Sequence, residues 1–441
     1  MVRRAGNLES EAARYAVLSD LVAHEGVPSH VRAQLAALLP VIDNWAHGRE
    51  TYLAAAPESG ASRYLSSFFS GKVDPDTYLL PLPEADPTLR PLLAWYRARM
   101  LIHELIQHGA IQKVSARRHR YLSHSRRLLE EARMAFPDNR LIGMYLGETI
   151  PWKKALPSAP AAPAWAVAQR EVLERLTDIL HWWVAERQLP DGQFGGGWGD
   201  DVEMWRRWLP VLIGFEDPVL VAAQERLSAG LFRAGHMRAG YTDHLYDVEH
   251  TAEDSADTIT PMLHLRPADP VWQRRARRLL ELAETRWMGR NERGQLQFKS
   301  TYFNAETVDP DPRKACDTVY HPRVLQPVLL LWQRTGDAHL GRLVLDWMDT
   351  WVDAATRAEN GKPAGIIPSA IHWPDGAIGG TTGSWWDPGN HDDDPLYVWP
   401  SAMRILLNTL LLCYHQSGRR HYLNPLFSMA AIFRRYGTAD G

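Results

Sequence analysis

Apolar residues recur every three or four positions along most of the chain, which is the pattern of helices that bury one face. Val172, Leu176, Ile179 and Trp183 show this spacing. Strand-like alternation is scarce, and its best case is the stretch 295–303. The pattern predicts an all-α protein, with helices at about 10–22, 29–47, 90–108, 118–135, 164–187, 200–213, 218–232, 252–264, 270–288, 323–335, 338–358, 400–417 and 420–435.

About thirteen helices joined by loops make six or seven helical hairpins. Closing such hairpins into a ring gives an (α/α)6 or (α/α)7 toroid, with short strands only in its rim loops. An open solenoid would show a fixed sequence period, and none appears. We therefore expect a single toroid domain over 1–441. A proline-rich connection at 151–163 precedes the site-bearing hairpins at 164–441, and the sequence leaves open whether 1–150 forms a subdomain.

The helical pattern is interrupted most sharply at 190–203, where a Pro-Asp-Gly turn is followed by three consecutive glycines and then by Trp198. The carboxylates Asp200, Asp201 and Glu203 come next. One interpretation is that they cap and charge the start of the next helix. The glycines, which allow a close approach of the backbone, favour a functional loop.

The pattern P-D-G-x-x-G-G at 190–196 returns at 374–380, and tryptophans follow both copies: Trp198 after the first, and Trp385 with Trp386 after the second. Equivalent loops of a toroid lie on the same rim, so these loops would wall one cleft. Aromatic planes of this kind suit sugar rings. The alternative is two similar turns without a common target.

Composition narrows the classes of function. The formal net charge of -3 gives no reason to expect nucleic acid as a partner, and no apolar run approaches the ~20 residues of a membrane span. Cys316 and Cys413 form no ligand spacing or disulfide framework. No signal peptide is evident, so we expect a cytoplasmic protein, or a periplasmic or secreted one if an export signal was removed. The oligomeric state stays open.

The densest polar run lies at 241–257 and contains Tyr246, His250, Glu253 and Asp257, with no lysine or arginine between Arg238 and Arg266. Packed like charges need compensation from a metal, a buried arginine or proton uptake. His250 and Glu253 alone are a weak metal signal. We predict no cofactor, and a divalent cation at the acidic loops is left open.

Further along, loops bring together Lys299 and Tyr302, then His321 and Arg323. The loop at 385–394 places tryptophans beside His391 and several carboxylates. Aromatic planes and hydrogen-bond acceptors are the chemical pairing of a sugar-binding site.

Three motifs carry a family resemblance over about 164–434: G-G-G-W-G-D-D-V-E, D-V-E-H-T-A-E-D and K-S-T-Y-F-N. With the hairpins, they resemble the α/α-toroid carbohydrate-active enzymes, the group of six-hairpin glycosidases and toroid polysaccharide lyases. The order of motifs is similar to that of the glucuronan and alginate lyases of polysaccharide lyase family 38. The resemblance implies that Tyr302 is the acid and base and that His250 takes the place of the family's histidine. Gly199 stands where the family pattern would place an asparagine.

The sequence thus predicts a polysaccharide lyase that acts by β-elimination on a uronic-acid-containing polymer such as glucuronan or alginate. A glycoside hydrolase, with Asp200 or Asp201 paired with Glu253 or Asp257, is the alternative. A non-catalytic carbohydrate-binding protein is the third reading. The predicted catalytic residues are Tyr302, His250, Asp200, Asp201 and Glu253, and the predicted substrate-binding residues are Trp198, Glu203, Tyr246, Lys299, His321, Arg323, Trp385, Trp386 and His391.

Overall fold

The computed structural model describes residues 1–47, 84–107, 115–148, 150, 152, 157, 160–237, 239–389, 398–400 and 403–436. The chain divides into two compact units, Met1–Ala155 and Leu156–Gly441. Both units are predominantly helical, which confirms the all-α prediction. Within these ranges, every helix is too short or too polar to cross a lipid bilayer.

The first unit has its own hydrophobic core, in which Trp95 and Phe136 are almost fully enclosed. Gly6 lies against Phe136, since a Cβ atom there would be 2.2 Å from the ring. The buried Arg14 guanidinium donates to the Tyr96 hydroxyl at 3.0 Å. The described helices of this unit are α1 (Val2–Asn7), α2 (Glu11–Ala23), α3 (Ser29–His47), α4 (Arg90–Gln107), α5 (Ser115–Ala135) and α6 (Arg140–Tyr145).

The second unit carries all the residues predicted to form the site. Two of its helical segments differ from the prediction. The stretch 200–213 is two helices, because Pro210 begins a new one, and the helix expected from 252 starts at Val248 and is broken at Asp254. The described helices are α7 (Ala164–Glu186), α8 (Trp198–Arg206), α9 (Leu209–Phe215), α10 (Pro218–Leu231), α11 (Val248–Glu253), α12 (Ala256–Leu265), α13 (Pro270–Leu282), α14 (Gln326–Thr335), α15 (Ala338–Thr356), α16 (Met403–Ser417) and α17 (Asn424–Tyr436).

The strands of the second unit are short and form three antiparallel pairs. The predicted strand at 295–303 is present as two of them, β3 and β4. The pairs are β1 (Tyr246–Asp247) with β4 (Tyr302–Phe303), β2 (Met288–Arg290) with β3 (Leu296–Phe298), and β5 (Cys316–Thr318) with β6 (Ala370–His372).

Two apolar clusters stabilise the second unit. One is built on Trp287, Trp347 and Trp351, and the other on Leu180 and Trp205. Phe232 and Leu265 pack against both clusters and so connect them. Helices α8 and α11 contact each other beside these cores, which places the glycine-rich loop next to the acidic run.

The glycine-rich loop before α8 contains one glycine with open space around it, Gly195, and one packed against another backbone segment, Gly192. Gly192 and Gly195 have φ of 109° and 99°, a region that L side chains rarely adopt. We expect Gly195→Ala to lower the free energy of unfolding by ~1–3 kcal/mol through strain alone. Gly192→Ala should cost ~1–3 kcal/mol more, because its Cβ would lie 2.4 Å from the Arg226 carbonyl oxygen. Urea unfolding measures both, and equal losses would contradict the packing argument.

Candidate active site

Three acidic side chains of the run at 241–257 surround the side chain of Arg323, which is only 2% exposed. Its Nε and Nη2 atoms donate to Asp257 Oδ2 at 3.2 and 2.6 Å, and Nη2 also donates to Glu253 Oε1 at 3.2 Å. Its Nη1 atom donates to Glu249 Oε1 at 3.2 Å and to the Tyr320 hydroxyl at 2.8 Å. These contacts engage all five N–H groups of the guanidinium. The buried arginine that the sequence left open as a compensating charge is therefore Arg323.

The carboxylates around Arg323 outnumber it, and Glu253 responds by holding a proton. Burial raises the pKa of Glu253 to about 8, and the charges of Glu203 and Asp257 act in the same direction against that of Arg323. At neutral pH the Glu253 side chain is therefore mostly a neutral acid. Protonation of Glu253 therefore reduces the repulsion between the carboxylates, in addition to the positive charge of Arg323.

Glu203 on α8 is the ionised neighbour of Glu253. Although burial acts to raise its pKa, Arg206 and Arg207 hold the pKa of Glu203 below its ordinary value. Their guanidinium groups donate to Glu203 Oε1 at 3.1 and 2.8 Å. One carboxylate oxygen from each of Glu203, Glu249 and Glu253 lies within 4.8 Å of the others. The cluster thus pairs the protonated carboxyl group of Glu253 with the ionised carboxylate of Glu203.

A cavity of about 640 Å³ opens beside this cluster. Among the described residues of its wall, four are arginines and one is a carboxylate. Behind the wall, Glu203 pairs with Arg206 and Arg207, and Glu249 and Glu253 contact Arg323. The lining residues are Arg206, Arg207, Leu209, Asp257, Thr260, Tyr320, Arg323, Gln326, Arg404, Ile405 and Asn408.

The pairing of β1 with β4 places the predicted base, Tyr302, opposite Asp247, which in turn contacts the predicted histidine, His250. Asp247 is the direct cross-strand neighbour of Tyr302, so their side chains leave the ribbon on the same face. Asp247 Oδ2 also contacts His250 Nδ1 at 2.7 Å, while Oδ1 accepts from two backbone N–H groups and caps α11. The hydrogen bond to Asp247 raises the pKa of His250 to about 9, so His250 is an imidazolium at neutral pH.

Two further groups lie near Tyr302 and His250. Lys314 Nζ lies 3.4 Å from the centroid of the Tyr302 ring and contacts Asp309 at 3.2 Å. Tyr246, which is 45% exposed, has its ring centroid 6.1 Å from that of His250. An exposed tyrosine ring beside a cationic histidine is suited to stacking on a sugar.

The glycine-rich loop is closed by Asp201. Its Oδ2 atom accepts from the Phe194 N–H at 2.6 Å, and its Oδ1 atom accepts from the Gly196 N–H at 2.9 Å. Burial raises the pKa of Asp201 although these backbone donors oppose the shift. Both oxygens are thus committed to the loop, whereas Asp200 beside it is exposed. The arrangement gives Asp201 a structural role, which the sequence-based assignment to catalysis did not include.

The tryptophans after the two glycine-rich turns pack in different places. A Cβ atom on Gly230 would lie 2.8 Å from Trp198 Cη2, so the Trp198 ring covers α10. Trp385 contacts Trp399 edge to face, with centroids 5.5 Å apart, and Trp386 is 47% exposed. None of these three is among the described residues of the cavity wall. His391 lies outside the described residues.

The repeated P-D-G pattern forms the same local turn twice. Asp191 Oδ1 accepts from the backbone N–H two residues ahead at 3.0 Å, and Asp375 Oδ1 does the same at 2.9 Å. Gly192 and Gly376 both have positive φ. Turn chemistry accounts for the pattern, and a common rim for the two loops stays a prediction.

Lys299 and His321, both predicted to bind substrate, contact backbone groups. Lys299 Nζ donates to the Arg286 carbonyl at 2.9 Å, and burial lowers the pKa of Lys299. His321 is fully enclosed, and burial lowers its pKa to about 4. Its Nδ1 atom accepts from the Thr318 N–H at 2.9 Å, so Nε2 carries the proton and donates to the Ser300 carbonyl. A side chain without exposed surface offers no contact to a substrate.

Sequence reasoning missed the arginines of the cavity wall, Arg206, Arg207 and Arg404, because isolated arginines on helices carry no distinguishing pattern. It also missed His236, whose ring stacks on that of His244 at 4.8 Å. Tyr320 directly precedes His321 in the chain, but its hydrogen bond to Glu249 Oε1 at 3.1 Å has no signal in the sequence.

Comparison with known proteins gives no match to a family model, to a curated protein or to a solved structure. The site is therefore interpreted from its own geometry.

The two acids of the glycine-rich loop should respond differently to loss of charge. In Asp201→Asn an amide NH₂ replaces one acceptor and faces a buried backbone N–H, so we expect a loss of about 1–3 kcal/mol in the free energy of unfolding. Asp200→Asn, at the exposed neighbouring position, should change it by less than about 1 kcal/mol. Chemical denaturation measures both. An Asp201→Asn protein as stable as the wild type would remove the structural role.

Proposed function

We propose that this chain is a carbohydrate-active enzyme that cleaves a uronate-containing polysaccharide by β-elimination, on a toroid of helical hairpins. The observation that carries the proposal is the β1–β4 pairing, which sets Tyr302 opposite Asp247 while Asp247 holds a protonated His250. A base and a cation beside each other are what elimination next to a carboxylate requires.

Each group has a distinct task in the proposed reaction. The Tyr302 phenolate removes the proton from C5 of the uronate, and the electron pair of that C–H bond forms the C4=C5 double bond. The bond between C4 and the glycosidic oxygen breaks, and this oxygen takes the proton back from the Tyr302 hydroxyl. His250 stabilises the negative charge that develops on the uronate carboxyl group. The Lys314 ammonium over the Tyr302 ring stabilises the phenolate.

The cavity wall supports an anionic substrate. Arg206, Arg207 and Arg404 offer guanidinium groups to a substrate carboxylate, while Tyr302 and His250 are not among the described residues of this wall. Such a wall attracts a polyanion and raises its local concentration. The acidic side chains of α11 do not oppose this, because Glu249 and Glu253 contact Arg323.

A glycoside hydrolase is the second candidate, and the acid cluster favours it. Glu253 holds a proton near neutral pH while Glu203 does not, which is the division of roles between an acid and a base in hydrolysis. Their closest oxygens lie within 4.8 Å, near the separation of about 5–5.5 Å found in retaining enzymes. Glu253 is only 3% exposed, so this reaction requires the substrate to reach an enclosed carboxyl group.

Tyr302→Phe separates the two reactions. Elimination forms a double bond conjugated to a carboxylate, which absorbs in the near ultraviolet, whereas hydrolysis forms none. We expect glucuronan or alginate to give this absorbance with the wild type and at most about 1% of that rate with Tyr302→Phe, because general acid–base groups contribute about 10²–10⁴-fold.

Glu253→Gln is the matched variant, and it should retain the ultraviolet signal. Reducing sugar without that signal, lost in Glu253→Gln and kept in Tyr302→Phe, would establish the hydrolase instead. Binding of the polymer without any cleavage would favour the carbohydrate-binding protein.

The pH dependence of activity should report the charge of His250. Its pKa of about 9 lies above the ordinary 6.5, so the imidazolium persists to alkaline pH and kcat/KM should fall above about pH 9. Asp247→Asn keeps the helix cap but removes the charged acceptor. We expect the alkaline limb to move down by roughly 2 pH units in this variant.

Nuclear magnetic resonance titration of the His250 ring provides the independent check, and an unshifted limb with a shifted ring would exclude His250 from the reaction. The raised pKa of His250 also makes the stability of the fold depend on pH. The contribution of the Asp247–His250 pair is fully present below about pH 6.5 and is lost as the pH rises through about 9.

A further inference from the structure

We propose that His236, His244 and Asp254 form a binding site for a divalent transition-metal ion of the Zn²⁺ class. The three residues lie in the second unit, and Asp254 directly follows Glu253 in the chain. One ligand atom from each lies within 4.8 Å of the other two. The proposal is independent of the function proposed above, since it uses none of the residues assigned to that reaction.

The distances are those of ligands around an ion rather than of hydrogen bonds. His236 Nε2 lies 3.6 Å from Asp254 Oδ2, and His244 Nδ1 lies 3.8 Å from the same oxygen. Both separations are too long for hydrogen bonds. Tetrahedral Zn²⁺ with bonds of about 2.0–2.1 Å sets its ligand atoms about 3.3–3.4 Å apart. Coordination requires these two separations to shorten by a few tenths of an ångström, together with a turn of the stacked rings.

His236 supplies the second observation. Its Nε2 atom is shielded from solvent and finds no hydrogen-bond partner within the described part of the chain. A buried imidazole nitrogen without a partner costs free energy that a bound ion would recover. The ring stacks on that of His244 with planes 7° apart and centroids 4.8 Å apart, so one ring has to turn about its Cβ–Cγ bond before both nitrogens face the same ion.

The loop that carries the histidines is held in place by its surroundings. Thr242, which is fully buried, donates its hydroxyl to Asp254 Oδ2 at 2.9 Å and so orients the carboxylate. The Ala305 N–H donates to the Thr242 carbonyl at 2.9 Å, and the Asp243 N–H donates to the His236 carbonyl at 2.8 Å. Outer hydrogen bonds of this kind support metal ligands.

The donor set selects the class of ion. Two imidazole nitrogens and one carboxylate oxygen suit Zn²⁺, Co²⁺ or Ni²⁺, whereas Ca²⁺ and Mg²⁺ prefer oxygen alone. The His244 side chain is 46% exposed and that of Asp254 only 8%, so solvent reaches the site from the histidine side. Three protein ligands leave a fourth position for water. The ion would fasten the 236–244 loop to the residue that follows α11.

The test is a titration of the tag-free, full-length protein, stripped with a chelator, with Co²⁺ as a visible probe and Zn²⁺ as its competitor. We expect one equivalent of ion per chain, with the intense visible bands of low-coordinate Co²⁺ that Zn²⁺ abolishes. His236→Ala and His244→Ala should each weaken binding by more than about 100-fold, since loss of an outer-shell partner alone costs about 10–100-fold. Thr242→Val should fall within that smaller range.

His421→Ala is the matched control, because His421 pairs with Asp349 at 2.8 Å in the same unit. His421→Ala and His250→Ala should both bind the ion as tightly as the wild type does. If His236→Ala fails to fold, His244→Ala still tests the proposal, because the His244 side chain is partly exposed. The proposal is overturned if the wild type binds no stoichiometric ion, if His244→Ala binds equally well, or if His421→Ala or His250→Ala loses the ion.

Discussion

The burial of one guanidinium group sets the arrangement of the candidate site. Arg323 is nearly inaccessible, and a buried charge is tolerated when its donors are satisfied and its charge is balanced. Glu249 and Glu253 on α11, Asp257 on α12 and the Tyr320 hydroxyl satisfy it together. The angle between α11 and α12 is therefore tied to the fork geometry of the arginine, and burial, helped by the neighbouring carboxylates, raises the pKa of Glu253 to about 8.

The side chains of α11 and of Asp254, which follows it, face three different groups of residues. Glu249 and Glu253 point to Arg323, His250 turns to Asp247 and the β1–β4 ribbon, and Asp254 at the end of the helix faces His236 and His244. One helix of six residues thus carries side chains that belong to all three groups or directly precede them.

Periodicity predicted most helices because each buries an apolar face, and it erred where polar residues or proline decide the boundary, as at Pro210. The acidic run was recognisable, and its need for compensation followed from charge alone. The partner was not identifiable, because Arg323 is 66 residues from Asp257 and any buried arginine would serve. For Asp201 the sequence suggested a role that the structure replaces. A catalytic carboxylate and one that closes a loop cannot be distinguished in a sequence, because the backbone N–H groups that bind it are known only from the structure.

The charge that a substrate meets depends on which side chains face it, not on the composition of the segment. The run at 241–257 is strongly acidic in sequence, yet Glu249 and Glu253 are turned toward Arg323, and Glu253 is mostly uncharged at neutral pH. The cavity instead exposes arginines contributed by helices α8 and α16, distant in sequence. An excess of acids in the sequence is thus compatible with an anionic substrate, since the acids build the site and the arginines line it.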